Sequence, residues 1–241
     1  MDFTPDDLFD AIDRIVRDLL DRVNVTQPPI NALGLAHDVF GFEIDYQTGH
    51  NEEPQYGDKP RRKPGGNTIV IKDDQSEESQ HNMAARSIAK RLVPDVLAKL
   101  GVIPGTENRS ALNTLLAPIT SRLLLPTRWF TTDCRQLGWD LAALKDKYTS
   151  AGFEMLAWRM LEMDDEASVI TILDDGAVTQ RRGNRFSVTR KLEVAEETAV
   201  AKAQDTKDPA TVRKDGWTAT AWPTRGVPFR RIIVRSVPDL L

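Results

Sequence analysis

Two hydrophobic periods run along this chain, and the change from one to the other divides it. Between Pro5 and Val23, the residues Leu8, Ile12, Ile15, Leu19 and Val23 recur at helical spacing and predict an amphipathic helix. Thr4 stands at the capping position, Pro5 suits the first helical residue, and Asp6 and Asp7 favour the positive end of the helix dipole. Pro28-Pro29 then breaks the chain. Ile30, Leu33, Leu35 and Val39 predict a short helix stopped by Gly41, and Phe42, Ile44 and Tyr46 alternate as a strand. Residues 47–66 are loop by composition, and "NTIVIK" (67–72) is a β-branched apolar run that reads as a buried strand. A long helix is expected over 76–99, with Ala84, Ile88, Leu92, Val96 and Leu100 on one stripe and Pro94 kinking or splitting it. Further helices are expected at about 108–124 (with Pro118 inside), 134–146 and 149–162. The last is read as capped by Thr149 or Ser150, with Phe153, Leu156, Ala157, Met160 and Leu161 turned inward.

After Asp165 the texture changes. "SVITILDDGAVTQRR" (168–182) reads as a strand, a turn at Asp174-Asp175-Gly176 and a second strand, a strong hairpin signal. A polar helix is expected over 190–203, a loop over 207–217, and two closing strands in 217–223 and 229–237. The pattern predicts an α+β fold, mainly helical with a small sheet. It is divided into a helical part, 1–165, and a small β-rich extension, 166–241, packed on it.

Composition narrows the function classes. The chain has 241 residues, 40% of them hydrophobic and 28% charged, as in a globular protein. A net charge of −4 argues against broad nucleic-acid binding. The single cysteine, Cys134, excludes an intrachain disulfide and fits a reducing compartment. No apolar run approaches the roughly 18–20 residues of a membrane span, and the acidic N-terminus lacks the features of a signal peptide. The expectation is a cytoplasmic protein. Seven aspartates against three arginines in residues 1–22 make the first helix's outer face acidic, which reads first as a solvated face. Two basic clusters stand out, Lys59, Arg61, Arg62 and Lys63 in the long loop and Arg181, Arg182, Arg185, Arg190 and Lys191 around the hairpin. The first could bind phosphates, and the second could meet a phosphate backbone or an acidic protein surface; solvated segments are the simpler reading. His37, His50 and His81 are dispersed with no ligand spacing.

The stretches "TIVIK" (68–72), "AARSIAKRL" (84–92) and "NTLLAPITSRLLLP" (113–126), with the two helical segments after them, resemble the ImmA/IrrE-type metallopeptidase family. The resemblance covers roughly residues 28–165 and implies a zincin-like scaffold. In that family a strand precedes a helix bearing Ala-His-Glu-x-x-His, and a later helix supplies a glutamate as third ligand. Two histidines four apart lie on one helical face and hold one zinc, and the adjacent glutamate activates the metal-bound water. Aligned on Ala85, this chain has Arg86 at the first histidine, Ser87 at the catalytic glutamate and Lys90 at the second histidine; counting back from Pro126 puts Asn113 at the third ligand. Guanidinium and ammonium groups repel a dication, and serine does not replace the general base.

The resemblance therefore implies a catalytically inactive metallopeptidase-like protein, a regulatory or ligand- or protein-binding module, without zinc or another cofactor. The alternative is an active zinc metallo-endopeptidase acting on a regulatory protein. The expected partner is a protein such as a transcriptional regulator, with no direct nucleic-acid or membrane contact. A surviving cleft floored by Arg86, Ser87, Lys90 and Asn113 would be rich in donors and suit a carboxylate or phosphate. "SIAK" (87–90) also fits Ser-x-x-Lys, but the companion motifs of serine–lysine hydrolases are absent.

Overall fold

The computed structural model describes residues 4–47, 67–102, 109–224 and 229–239, with the side chains of 109–111 excepted. The order is α1 (Pro5–Arg22), α2 (Ala32–Asp38), β1 (Glu43–Gln47), β2 (Thr68–Lys72), α3 (Glu77–Lys99), α4 (Arg109–Leu124), α5 (Thr127–Gln136), α6 (Leu141–Lys147) and α7 (Phe153–Met163). After these come β3 (Val169–Asp174), β4 (Ala177–Gly183), α8 (Val194–Thr206), β5 (Ala210–Lys214), β6 (Trp217–Thr224) and β7 (Arg231–Pro238). The fold is α+β. Two compact units form, residues 1–129 with 148–151, and residues 130–147 with 152–241. The expected division at residue 165 falls inside the second unit. No helix among the described residues is long and apolar enough to cross a membrane.

In the first unit the amphipathic pattern of α1 acts as read. Thr4 closes a capping box with Asp7, and Ile12, Val16, Leu19 and Leu20 are buried. Each such side chain contributes about 1.5–3 kcal/mol by leaving water. α3 packs on α1, α2 and α4 and touches β2, which pairs in parallel with β1. The expected alternation of Phe42, Ile44 and Tyr46 buries Phe42 but leaves Tyr46 61% exposed.

α3 runs unbroken through Pro94, and α4 through Pro118. Proline removes the bond to the carbonyl four residues back. Those carbonyls belong to Lys90 and Thr114, both exposed residues. Helical turns on either side, held by buried Ile88, Leu92, Val96 and Leu97, keep α3 continuous.

The segments expected as two helices, 134–146 and 149–162, fold as three, because α5 begins at Thr127 and a turn around Gly138 and Trp139 separates it from α6. Gly152, not Thr149 or Ser150, occupies the N-cap of α7.

The second unit carries an antiparallel sheet of order β4-β3-β7-β6-β5. Asp175 (φ 49°) and Gly176 (φ 84°) make the expected two-residue turn, with positive φ at both positions as the type I′ turn requires. The segment read as a loop contains a second turn of the same kind. Asp215 (φ 49°) and Gly216 (φ 77°) join β5 to β6. Its Asp-Gly signal matched the first, but Ala210–Lys214 alternates small, polar and charged residues, and so lacks a strand's apolar signature. α8 lays Ala195, Ala199, Val200 and Ala203 on Leu173, Ala219, Ala221, Ile232 and Val234. Small alanines on both surfaces let the helix approach the sheet closely.

Under α8 lies a buried ion pair. Arg181 donates to Glu196 at 2.7 Å and to Thr171 Oγ1 at 2.5 Å; Ser236 donates to Glu196 at 2.6 Å, and the Glu193 backbone N–H donates to it at 2.7 Å. The two charged side chains are 3% and 0% exposed. Such a pair holds only with its extra hydrogen bonds in place. Glu196→Ala should cost about 3–5 kcal/mol by leaving the guanidinium uncompensated, and Arg181→Met with Glu196→Leu should cost clearly less. Urea denaturation midpoints measure both; a Glu196→Ala variant as stable as the parent would show the charges to be solvated.

Candidate functional site

The strand–helix–helix frame that the resemblance draws on is β2, α3 and α4 in the first unit, with α3 and α4 packed together and β2 against α3. α3 buries two adjacent positions in each turn (84 and 85, 88 and 89, 92 and 93, 96 and 97). That wide apolar face leaves Asn82, Arg86, Lys90 and Pro94 as one exposed row at four-residue spacing. Ser87 is half-buried beside it, and its hydroxyl donates to the Met83 carbonyl at 3.0 Å, within its own helix. Asn113 is exposed on α4.

Arg86 and Lys90 thus share a helix face, as two ligands four residues apart would. Their chemistry is wrong for a cation. A tetrahedral zinc site takes imidazole, thiolate or carboxylate donors. Among the described residues, no group of three His, Cys, Asp or Glu side chains is placed to hold a metal ion. The cavities of about 830, 560 and 380 Å³ take no wall from Arg86, Ser87, Lys90 or Asn113.

The hairpin arginines, read as possible anion or partner contacts, separate in the fold. Arg181 is inside, bound to Glu196, so that reading fails for it: its charge faces the core. Arg182 stacks over the Trp158 ring at 5.0 Å, and Arg185 donates to the Asp165 carbonyl at 3.4 Å. Residues 59–63, the other basic cluster, lie outside the described residues. Cys134 is buried, and burial together with the charge of Asp133 pushes its thiol up to about 12, so it stays a protonated core residue.

His81 was legible in sequence only as a dispersed histidine. Folding makes it a tie between helices: the Ala32 backbone N–H, at the start of α2, donates to its Nδ1 at 3.2 Å across 49 residues of chain. Its Nε2 faces the Glu77 carboxylate at 3.6 Å. Burial holds the imidazole below the ordinary histidine pKa, against the opposing pull of Glu77. A proton on Nδ1 would point two donors at each other. The unfolded chain therefore binds this proton more readily than the fold does. The stability it contributes is complete above the unfolded value, about 6.5, and is lost as pH falls through the folded value. Lowering the pH from about 7 to 5 should lower the urea midpoint, and His81→Gln, which keeps an acceptor but does not titrate, should flatten that dependence. An unchanged slope in His81→Gln would assign the pH sensitivity to other groups.

No family model and no curated protein matches the chain. Among solved structures, a Mycobacterium tuberculosis transcriptional regulator is similar to it, with a TM-score of 0.61 over 94% of this chain and 75% of that one, at 15% identity. At that identity the similarity is one of fold, and function has to be argued from residues.

Proposed function

We propose that this chain is a regulatory interaction module on a scaffold like that of the ImmA/IrrE-type metallopeptidases, without zinc peptidase chemistry of its own. The observation that carries the reading is the exposed row of α3. After a strand, and against α4, it presents Arg86 and Lys90 at the spacing where such a scaffold would present two histidines, with Ser87 in place of the catalytic acid. Guanidinium and ammonium groups offer hydrogen-bond donors and no lone pair to a metal ion. The residues do not fit zinc, and no catalytic step is assigned to them.

The regulatory part of the reading is supported by the fold likeness to a protein named as a transcriptional regulator. A protein partner suits this chain better than direct contact with DNA. Net charge is −4, and three of the hairpin's basic residues are engaged, Arg181 by Glu196, Arg182 over Trp158 and Arg185 on a backbone carbonyl, while Arg190 and Lys191 are exposed. The row formed by Arg86 and Lys90 offers donors to an acidic partner surface or a carboxylate.

Metal analysis of the purified protein, with a peptidase assay with and without added zinc, tests the reading. The unmodified chain is expected to hold substoichiometric zinc and to cleave nothing in either condition. Arg86→His, Lys90→His and Asn113→Glu together should create a zinc site, and Ser87→Glu should be needed in addition for hydrolysis. Stoichiometric zinc near Ser87 in the unmodified protein would restore the active-peptidase alternative. A folded triple variant that takes up no zinc would show that these positions do not line one site.

A further inference from the structure

β1 and β2 form a two-stranded parallel sheet in the first unit, with Glu43 opposite Thr68 and Gln47 opposite Lys72. The Glu43 N–H donates to the Asn67 carbonyl at 3.0 Å, and the Asp73 N–H donates to the Gln47 carbonyl at 3.1 Å. The backbone groups of the odd-numbered residues of β1 therefore point to β2. Alternation along the strand turns those of Ile44 and Tyr46 to the other edge. No strand among the described residues pairs there. An unpaired edge is a template for another extended chain.

The side chains along this edge fall into two sets. The register places Ile44 and Tyr46 on the face that carries Ile69 and Ile71. Ile69 and Ile71 are buried, Ile44 is half-buried, and Tyr46 is the most exposed large hydrophobic among the described residues. Cover on this apolar face thus stops at the edge. A groove of about 560 Å³ continues it between β1 and α2, with Leu33, Ile44 and Tyr46 as its apolar part and His37, Asp38 and Glu43 as its polar part. None of these six residues is buried, so each can touch a ligand. On the opposite face of β1 stand the exposed carboxylates of Glu43 and Asp45. Lys72, the one cation on that face of the two strands, lies on β2 beside Gln47, away from the open edge.

We propose that the free edge of β1 takes up an extended segment of a partner protein in which apolar and basic residues alternate. The backbone of that segment pairs with the N–H and C=O groups of Ile44 and Tyr46. Its apolar side chains lie beside Ile44 and Tyr46 and enter the groove against Leu33. Its lysines or arginines fall on the other face, beside Glu43 and Asp45, where opposite charges across a strand pair are favourable. An acidic segment would set like charges side by side, which is destabilising. The surface uses none of Arg86, Ser87, Lys90 and Asn113, so it stands or falls separately from the zinc question.

Fluorescence anisotropy and amide hydrogen exchange on the full chain test this. The probe is a short labelled peptide of alternating lysine and valine. The controls are its glutamate–valine counterpart and the lysine–valine peptide with methylated backbone nitrogens. In the free protein the amides of Ile44 and Tyr46 should exchange fast and that of Glu43 slowly; bound peptide should slow all three. Saturable binding of the lysine–valine peptide is expected, with both controls at least about tenfold weaker, as loss of a strong hydrogen bond or a favourable charge pair gives. Tyr46→Pro removes an N–H that points away from β2, so it should spare the sheet and weaken binding about tenfold. Tyr46→Ala, which keeps the N–H, should weaken it less. Glu43→Lys with Asp45→Lys should reverse the preference toward the glutamate–valine peptide. Slow exchange at Ile44 and Tyr46 in the free chain would overturn the proposal, because the edge would already be paired. Absence of saturable binding would overturn it as well. Equal binding of the methylated peptide would reduce the effect to charge attraction without strand pairing and sink it too.

Discussion

The broad apolar face of α3 is the constraint on which the first unit depends. Two adjacent positions per turn are buried, from Ala84 to Leu97, so the helix must be covered on several sides at once, by α1, α2, α4 and β2. A narrow stripe would have allowed a two-helix contact; a wide one demands a surrounding shell. The same burial fixes what remains for function. The row Asn82, Arg86, Lys90 and Pro94 meets solvent, as do Arg91, Asp95, Ala98 and Lys99. Residues in the row can change chemistry at small cost to stability, since surface substitutions away from special features shift it little. A scaffold of this kind can lose a metal site and keep its fold. The reading of Arg86 and Lys90 as former ligand positions depends on this separation between what packs and what faces out.

Much of the architecture was legible because local and tertiary signals agree. Thr4, Pro5 and Asp7 announce α1, and Asp175-Gly176 announces a hairpin whose flanking strands are apolar enough to stand out. Where tertiary packing overrides local preference, the pattern misleads. Pro94 and Pro118 look like breaks, yet neither breaks its helix, because the buried turns around each outweigh one lost hydrogen bond. β5 looks like loop because Thr211, Arg213 and Lys214 are exposed, and only Ala210 and Val212 turn toward α8. A short edge strand with polar residues carries little signal of its own, and a protected sheet edge is expected to look that way.

The candidate site was legible only in part. Positions 86, 87, 90 and 113 were what the resemblance implied, and the four-residue spacing of Arg86 and Lys90 appears in the fold as a shared exposed face. Arg181 was misread with its neighbours because a basic run gives no sign of which member turns inward. The alternation of β4 sends Arg181 to the α8 side and Arg182 outward to Trp158, and the acid that receives Arg181 lies 15 residues away, on a helix. Only the sheet register brings them together. His81 and Ser150 were beyond sequence altogether. One is paired to a backbone N–H across 49 residues, and the other has no partner to be found by pattern.

These cases separate two kinds of polar residue inside the protein. The Arg181–Glu196 network is nearly complete: the carboxylate oxygens, two hydroxyls and a backbone N–H close on the guanidinium and on one another, and Arg181 Nε alone in the network is left without a partner. Ser150 and Ser168 are the opposite case, hydroxyls kept from water and given no partner by the fold. A network that satisfies itself stabilises and specifies a core. An unsatisfied group costs stability in every folded molecule, and a functional role is one reason such a cost persists. On that argument the exposed row of α3 and the buried hydroxyls of Ser150 and Ser168 call for different standards. Arg86 and Lys90 cost the fold little, so chemistry alone must make the case for their role. Ser150 and Ser168 cost the fold something, and that cost, unlike the exposure of a surface charge, is set by burial alone.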